Sequence, residues 1–313
     1  MYALTLPETT STVYTIFGIQ HHTQDTPSPL STQLTILLTP HLPSKNTTLL
    51  THPGPDPLTT TIHLTSRPTK TFYEERWHSD PVTTFWNTLP DDAGIYRETI
   101  TVAVERTQHS TNKPISPGMG CLGPYTPIPD KSGYWGCYYH RIPATAGATG
   151  PEGRFPSLVK ETPKRKESTG AIRHGRVHMT QFPENICFAV EGQDHSNLTT
   201  VERETWFEKF DLPTLHWMNE LQSAGPETGL LETRVCYDPQ SGRFRDGEPD
   251  VLSYNRKVQL FYFLGMKCME RVGRRRRRRR RRSKEHVLLR REFLKSYGAG
   301  GELAEAGGAL FVG

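Results

Sequence analysis

Ser79-Asp80-Pro81-Val82-Thr83-Thr84-Phe85-Trp86-Asn87-Thr88-Leu89 opens with a capping serine and carries a proline in the first helical turn, where its missing N–H costs nothing. Val82, Phe85, Trp86 and Leu89 then fall at i, i+3, i+4 and i+7, the signature of an amphipathic helix. Directly after it, Ile100, Val102 and Val104 alternate with Thr101 and Ala103 across Tyr96 to Glu105, as a strand requires. Upstream, Thr12 to Gln20 is a β-branched and aromatic run, and Thr59 to Thr65 sets Ile62 and Leu64 between polar residues. Leu34 to Leu38 is short and apolar and reads as a strand, and Thr39 to Pro57 as a polar linker.

The same logic returns downstream. Gly133 to Pro143 is a short aromatic strand between two Pro-, Gly- and polar-rich loops, Gln108 to Asp130 and Ala144 to Gly175. A strand at Asn185 to Val190 precedes a helical region that Thr199 and Glu202 open at capping-box spacing and Pro213 interrupts. Strands at Glu232 to Asp238 and Val258 to Leu264, helices at Met266 to Val272 and Lys284 to Tyr297, and a strand at Ala309 to Val312 complete the chain. Glu75-Arg76-Trp77 with the helix after Ser79 parallels Glu270-Arg271-Val272 with the helix after Ser283, which suggests two related β-α-β halves, about 12–110 and 133–313, within a single domain spanning 1–313. The expected class is α+β, an antiparallel sheet or β-barrel with helices outside.

The 313 residues carry a net charge of +5, but Arg274 to Arg282 is an unbroken run of nine arginines, and without it the remainder is at −4. The basic balance therefore belongs to one segment, read as a low-complexity surface insertion because no aromatics are interleaved for base stacking. Nucleic acid is expected as a partner only non-specifically, through that run. Five widely spaced cysteines without a CxxC pair argue against a disulfide framework or a covalently attached haem. No stretch approaches 18 uninterrupted apolar residues and the first twelve residues lack a signal-peptide pattern, so a cytoplasmic protein without a membrane partner is expected.

His286 shares a helical stripe with Leu289, Phe293 and Tyr297, at the head of an apolar face. On spacing alone this is a core histidine, with a metal or haem ligand as the alternative. Arg141 is a candidate donor to a substrate oxygen or else a strand-end ion pair, and Glu191 is a carboxylate at a strand end.

Taken in order, Glu75-Arg76-Trp77 with Pro81, Val82 and Trp86, Tyr96-Arg97-Glu98, Gly133-Tyr134-Trp135-Gly136, Arg141 before Pro143, Asn185-Ile186 with Glu191-Gly192-Gln193-Asp194, and Ser253-Tyr254-Asn255 resemble the haem-containing aldoxime dehydratases, the fungal phenylacetaldoxime dehydratase-like branch in particular. The resemblance implies a β-barrel of two ferredoxin-like halves enclosing haem b, whose ferrous iron activates an aldoxime for conversion to a nitrile and water. It implies that His286 is the proximal iron ligand, that Arg141 is the substrate-side arginine, and that Glu191 stands where the family has a serine. The family's distal histidine falls at Ala309, Leu310 or Phe311, so an impaired proton shuttle is expected. Gly313 comes before the segments that close the family's barrel, so an open edge is expected, and a homodimer is compatible with the resemblance. Two other readings stand beside it: a non-catalytic haem-binding relative, and a cofactor-free α+β protein tethered by its arginine run.

Overall fold

The computed structural model describes residues 1–6, 11–21, 29–38, 47–54, 58–116, 118–128, 141–145, 155–166, 174–274, 283–298, 300–304 and 307–313. The strands are β1 (Tyr2–Leu4), β2 (Ser11–Gln20), β3 (Thr47–Pro53), β4 (Thr59–Arg67), β5 (Ile95–Ala103), β6 (Ser110–Thr111), β7 (Tyr125–Pro127), β8 (Cys187–Asp194), β9 (Leu230–Tyr237), β10 (Arg256–Phe263) and β11 (Leu310–Val312). The α-helices are α1 (Pro29–Leu38), α2 (Lys70–Trp77), α3 (Asp80–Thr88), α4 (Thr200–Lys209), α5 (Asp211–Ser223), α6 (Met266–Arg274) and α7 (Ser283–Tyr297). None is long and apolar enough to cross a membrane.

All eleven strands join one antiparallel sheet in the order β5-β2-β4-β3-β9-β10-β8-β11-β6-β1-β7. A strand–helix–strand–strand–helix–strand order occurs twice along the chain, and β3 meets β9 at a single ladder pair, Thr51 opposite Tyr237. The sheet curls so that its two parts face each other across Ile16, Leu50, Ile62 and Leu64 on one side and Cys236, Val258 and Leu260 on the other. Helices cover the outer faces. On β2 the odd-numbered residues point toward them, so Phe17 and Ile19 pack on Leu34 of α1 and Phe85 of α3. The inner face takes Ile16 and Gly18, and the Tyr96 ring lies where a Cβ at Gly18 would stand.

The sheet is open, which corrects the expected barrel: β5 and β7 are its edges among the described residues. Strand β5 reaches the second part through side chains instead of a backbone ladder. Glu98 accepts two hydrogen bonds from Arg234 (2.6 and 3.1 Å) and one from the Tyr262 hydroxyl (2.8 Å). Burial would lower the Arg234 pKa, but the Glu98 carboxylate outweighs it and raises it. Because this clamp ties β5 to the second part beside the inner apolar cluster, Glu98→Ala is expected to cost about 2–3 kcal/mol in urea unfolding, a figure discounted from fully buried pairs because both side chains keep some solvent contact.

Three local expectations change. Leu34 to Leu38 lies in helix α1, because burying Leu34 against Phe17 and Phe85 outweighs its β-branched neighbours. The linker Thr39 to Pro57 contains β3, paired with β4 from Thr47 opposite Thr65 to Pro53 opposite Thr59. The helical region after Thr199 breaks at Phe210, and Pro213 sits in the first turn of α5, where no backbone N–H is needed. The aromatic run from Gly133 to His140 lies outside the described residues, as do the arginines after Arg274, the last residue of α6.

Thr199 caps α4 by accepting from the Glu202 N–H (3.2 Å). The Glu202 carboxylate, fully buried, accepts the backbone N–H groups of Gly308 and Ala309 and so pins the approach to β11. Glu202→Ala leaves those donors buried without partners. It is expected to cost about 3 kcal/mol or more, read as a lowered urea midpoint with unchanged slope.

Candidate functional site

Strand β8 alternates. Phe188 and Val190 enter the inner cluster, while Cys187 and Ala189 face Met218 and Leu221 of α5. Glu191 and Gln193 continue the helix-covered row, and the register sets Gln259 opposite Glu191 and Lys257 opposite Gln193 on β10. Beyond them, Phe311 of β11 lies opposite Gln193 and packs on Phe293 and Tyr297 of α7, with ring centroids 5.1 and 4.9 Å away. Four polar side chains therefore occupy the middle of a face whose two ends are apolar.

These groups are poorly satisfied. Gln193 Oε1 and Gln259 Nε2 are buried without a hydrogen-bond partner among the described residues. Glu191 has no ion-pair or hydrogen-bond partner there either, and burial pushes its carboxyl up to about 7. Lys257 is 2% exposed; its Nζ donates to the Tyr254 carbonyl (2.8 Å) and lies 3.8 Å from the centre of the Phe244 ring. Burial lowers its pKa well below the ordinary lysine value.

Of the residues singled out from sequence, Glu191 lies in this row. His286 falls within α7, one turn before Leu289, which is buried against the Trp206 and Phe311 cluster. Its imidazole lies outside the described residues. Arg141 is not beside Glu191 in the sheet. It sits in a turn just after the undescribed aromatic run, and its Nε donates to Gln108 Oε1 (3.2 Å). Gln108 precedes β6, which pairs with β11, which pairs with β8. Of the three residues expected to mark the distal-histidine position, Ala309, Leu310 and Phe311, Ala309 and Phe311 are buried (0% and 1% exposed) and Phe311 fills the aromatic cluster.

His195 escaped the sequence reading. The signal was available, since Glu191, Gln193 and His195 continue one period-two row past the end of β8. The ring is 2% exposed and lies 4.3 Å from Trp206, 4.5 Å from Phe244 and 6.0 Å from Phe311, centroid to centroid. Neither ring nitrogen has a hydrogen-bond partner among the described residues. Burial, reinforced by the charges of Lys257 and Arg203, holds its pKa well below the ordinary value, so the imidazole is neutral at physiological pH.

Among the described residues no group of three or more His, Cys, Asp or Glu could by itself hold a metal ion. A porphyrin iron asks much less of the chain, one axial ligand and a lining. Gln193 Oε1 and Gln259 Nε2, buried without partners beside the half-buried Glu191 carboxyl, leave polar groups on this face that a bound group could contact.

No curated protein sequence matches the chain. Its fold resembles two solved structures. One is an aldoxime dehydratase (TM-score 0.68, 17% identity, 99% of this chain and 84% of the other). The second is an aldoxime dehydratase co-crystallised with butyraldoxime (TM-score 0.66, 13% identity, 99% and 82%). At those identities the likeness concerns the fold. The profile of the haem-containing dehydratases matches residues 15–311, nearly the whole chain, and the protein belongs to that family.

Proposed function

We propose that this dehydratase is a haem-dependent lyase that converts aldoximes, R–CH=N–OH, to nitriles and water, with Glu191 carrying the proton. The carrying observation is the row Glu191, Gln193 and Gln259, on the face whose Phe311 end packs against α7, with Gln193 Oε1 and Gln259 Nε2 buried without partners and the Glu191 carboxyl pushed up to about 7. The family match and the two aldoxime dehydratase folds support the substrate class. His286 of α7 would hold the haem iron in this reading, and haem b, when bound, would supply ferrous-iron chemistry able to activate the oxime nitrogen.

The reaction moves protons without net consumption: one joins the leaving hydroxyl to make water, and one leaves the oxime carbon as the nitrile forms. A carboxyl that is half protonated near neutral pH can give the first and recover the second. Arg141, whose guanidinium stays charged, orients the substrate hydroxyl. His195 offers a neutral base next to Phe311, beside the site where the distal histidine is missing.

Reconstitution with haemin, reduction, and incubation with butyraldoxime test this reading. The expected result is a Soret band that shifts with the oxime, together with butyronitrile in the product. A chain that stays colourless overturns it. The absence of a histidine at Ala309, Leu310 and Phe311, where one is expected, favours a second reading, a haem-binding relative without turnover, which predicts the Soret band and no nitrile.

A further inference from the structure

The first part of the chain holds a pocket of its own between β2 and β4 beneath α1, α2 and α3, about 520 Å³ with its open mouth included. Phe17, Trp77, Trp86 and Leu34 wall it. The Trp77 ring is fixed at 5.4 Å from Trp86 and 6.5 Å from Phe17, with the Arg97 guanidinium lying over it at 3.1 Å. Two further guanidinium groups line the cavity, those of Arg67 at the end of β4 and Arg76 on α2, and the described lining contains no carboxylate.

Arg67 is the telling residue. It is 7% exposed, has no side-chain hydrogen bond or ion pair to an acid among the described residues, and its guanidinium lies over the Phe72 ring, 5.2 Å from the centroid. Burial, and then the charge of Arg76, lower its pKa. Arg76 is anchored by donating to the Leu37 carbonyl (2.7 Å) and to Ser79 Oγ (3.3 Å), so the pair cannot simply swing apart. Thr15, also in the lining, has its Oγ1 buried without a partner. Two like charges held together without a counter-ion are unfavourable alone and favourable around an anion.

The walls select which anion. A phosphate site is normally built from backbone N–H groups at a helix start, but the Phe72 N–H at the head of α2 is already taken by its cap, Thr69 (3.1 Å). Planar guanidinium forks beside three aromatic rings match a planar carboxylate attached to a ring. We propose that this pocket binds a small aromatic carboxylate, its carboxylate taken by Arg67 and Arg76 and its ring by Trp77, Trp86 and Phe17. The site is separate from the Glu191 row and does not depend on the haem reading.

Isothermal titration of the full-length chain with sodium benzoate tests it. Saturable one-to-one binding is expected, with affinity falling about tenfold or more in Arg67→Gln. Benzamide, the uncharged isostere, and inorganic phosphate are each expected to give no saturable heat. Where Arg67→Gln does not fold by circular dichroism, Arg76→Gln carries the same expectation. No benzoate binding, equal binding of benzamide, preferred binding of phosphate, or undiminished affinity in the folded arginine variants overturns the proposal. So does a benzoate-induced shift of the Soret band in haem-loaded protein, which puts the anion at the iron. A chain that takes up no haem leaves this titration unaffected, so the two readings fail separately.

Discussion

His286→Ala is expected to abolish the Soret band of the haem-reconstituted protein and to bring nitrile formation down to background, while the far-ultraviolet circular dichroism is unchanged. The fold should survive because α7 is held by residues other than 286. Leu289 is buried, Phe293 and Tyr297 stack on each other and meet Phe311 edge-on, and Phe210 packs against both aromatic residues of the helix. Absorption is the decisive readout, since a merely structural histidine leaves the porphyrin bound and coloured. If the Soret band persists in His286→Ala and disappears in His195→Ala, the axial ligand is the histidine at the end of β8, and the role given to α7 is wrong.

The second large effect is expected at Glu191. Glu191→Gln keeps the shape and size of the side chain but cannot exchange a proton. The turnover number should fall by about 10²–10⁴-fold while the Soret band stays in place. Wild-type activity should show a pH limb near 7, and the variant should lack it. Stability supplies an independent check. Burial raises the Glu191 pKa from 4.5 to about 7, so between these values the folded chain holds a proton that the unfolded chain has released. The stabilisation is complete below 4.5, declines as pH rises through that window, and is gone above 7. Above pH 7 the wild type thus carries a buried charge that Glu191→Gln lacks, and the variant should melt higher by about 2 kcal/mol of stability. Near pH 4 the two should coincide. Identical melting at both pH values would show that the carboxyl is not desolvated, and the proton-carrier role would lose its physical basis.

The legible parts of this chain are those whose signal is local. Strand β2 declared itself through Val13, Tyr14, Ile16, Phe17 and Ile19, and α3 through Val82, Phe85, Trp86 and Leu89, since both periods are properties of a segment and its own two faces. The order of short motifs pointed to the family, and the profile match over 15–311 bears that out. Strand β3 was illegible because Thr47 to Pro53 is mostly polar, with only Leu49 and Leu50 apolar, and acquires strand geometry from its ladder with β4. Helix α1 was misread because the apolar element taken, Leu34 to Leu38, is too short for a helix; the helix begins at Pro29, and Leu30, Leu34, Leu37 and Leu38 together pack on Phe17 and Phe85.

The candidate site divides in the same way. Sequence alone picked out Glu191 as a carboxylate at a strand end and His286 as a histidine at the head of an apolar helix face, because strand and helix periods assign a residue to a face. It had no means of seeing that Gln259 lies opposite Glu191, that Phe311 lies opposite Gln193, or that His195 closes the row inside an aromatic box. It equally missed that Arg67 and Arg76 share a pocket without an acid. Which face a side chain occupies follows from its neighbours along the chain. Which groups surround it, and so whether it keeps its proton, follows from strand pairings between distant segments and from the water that their packing removes.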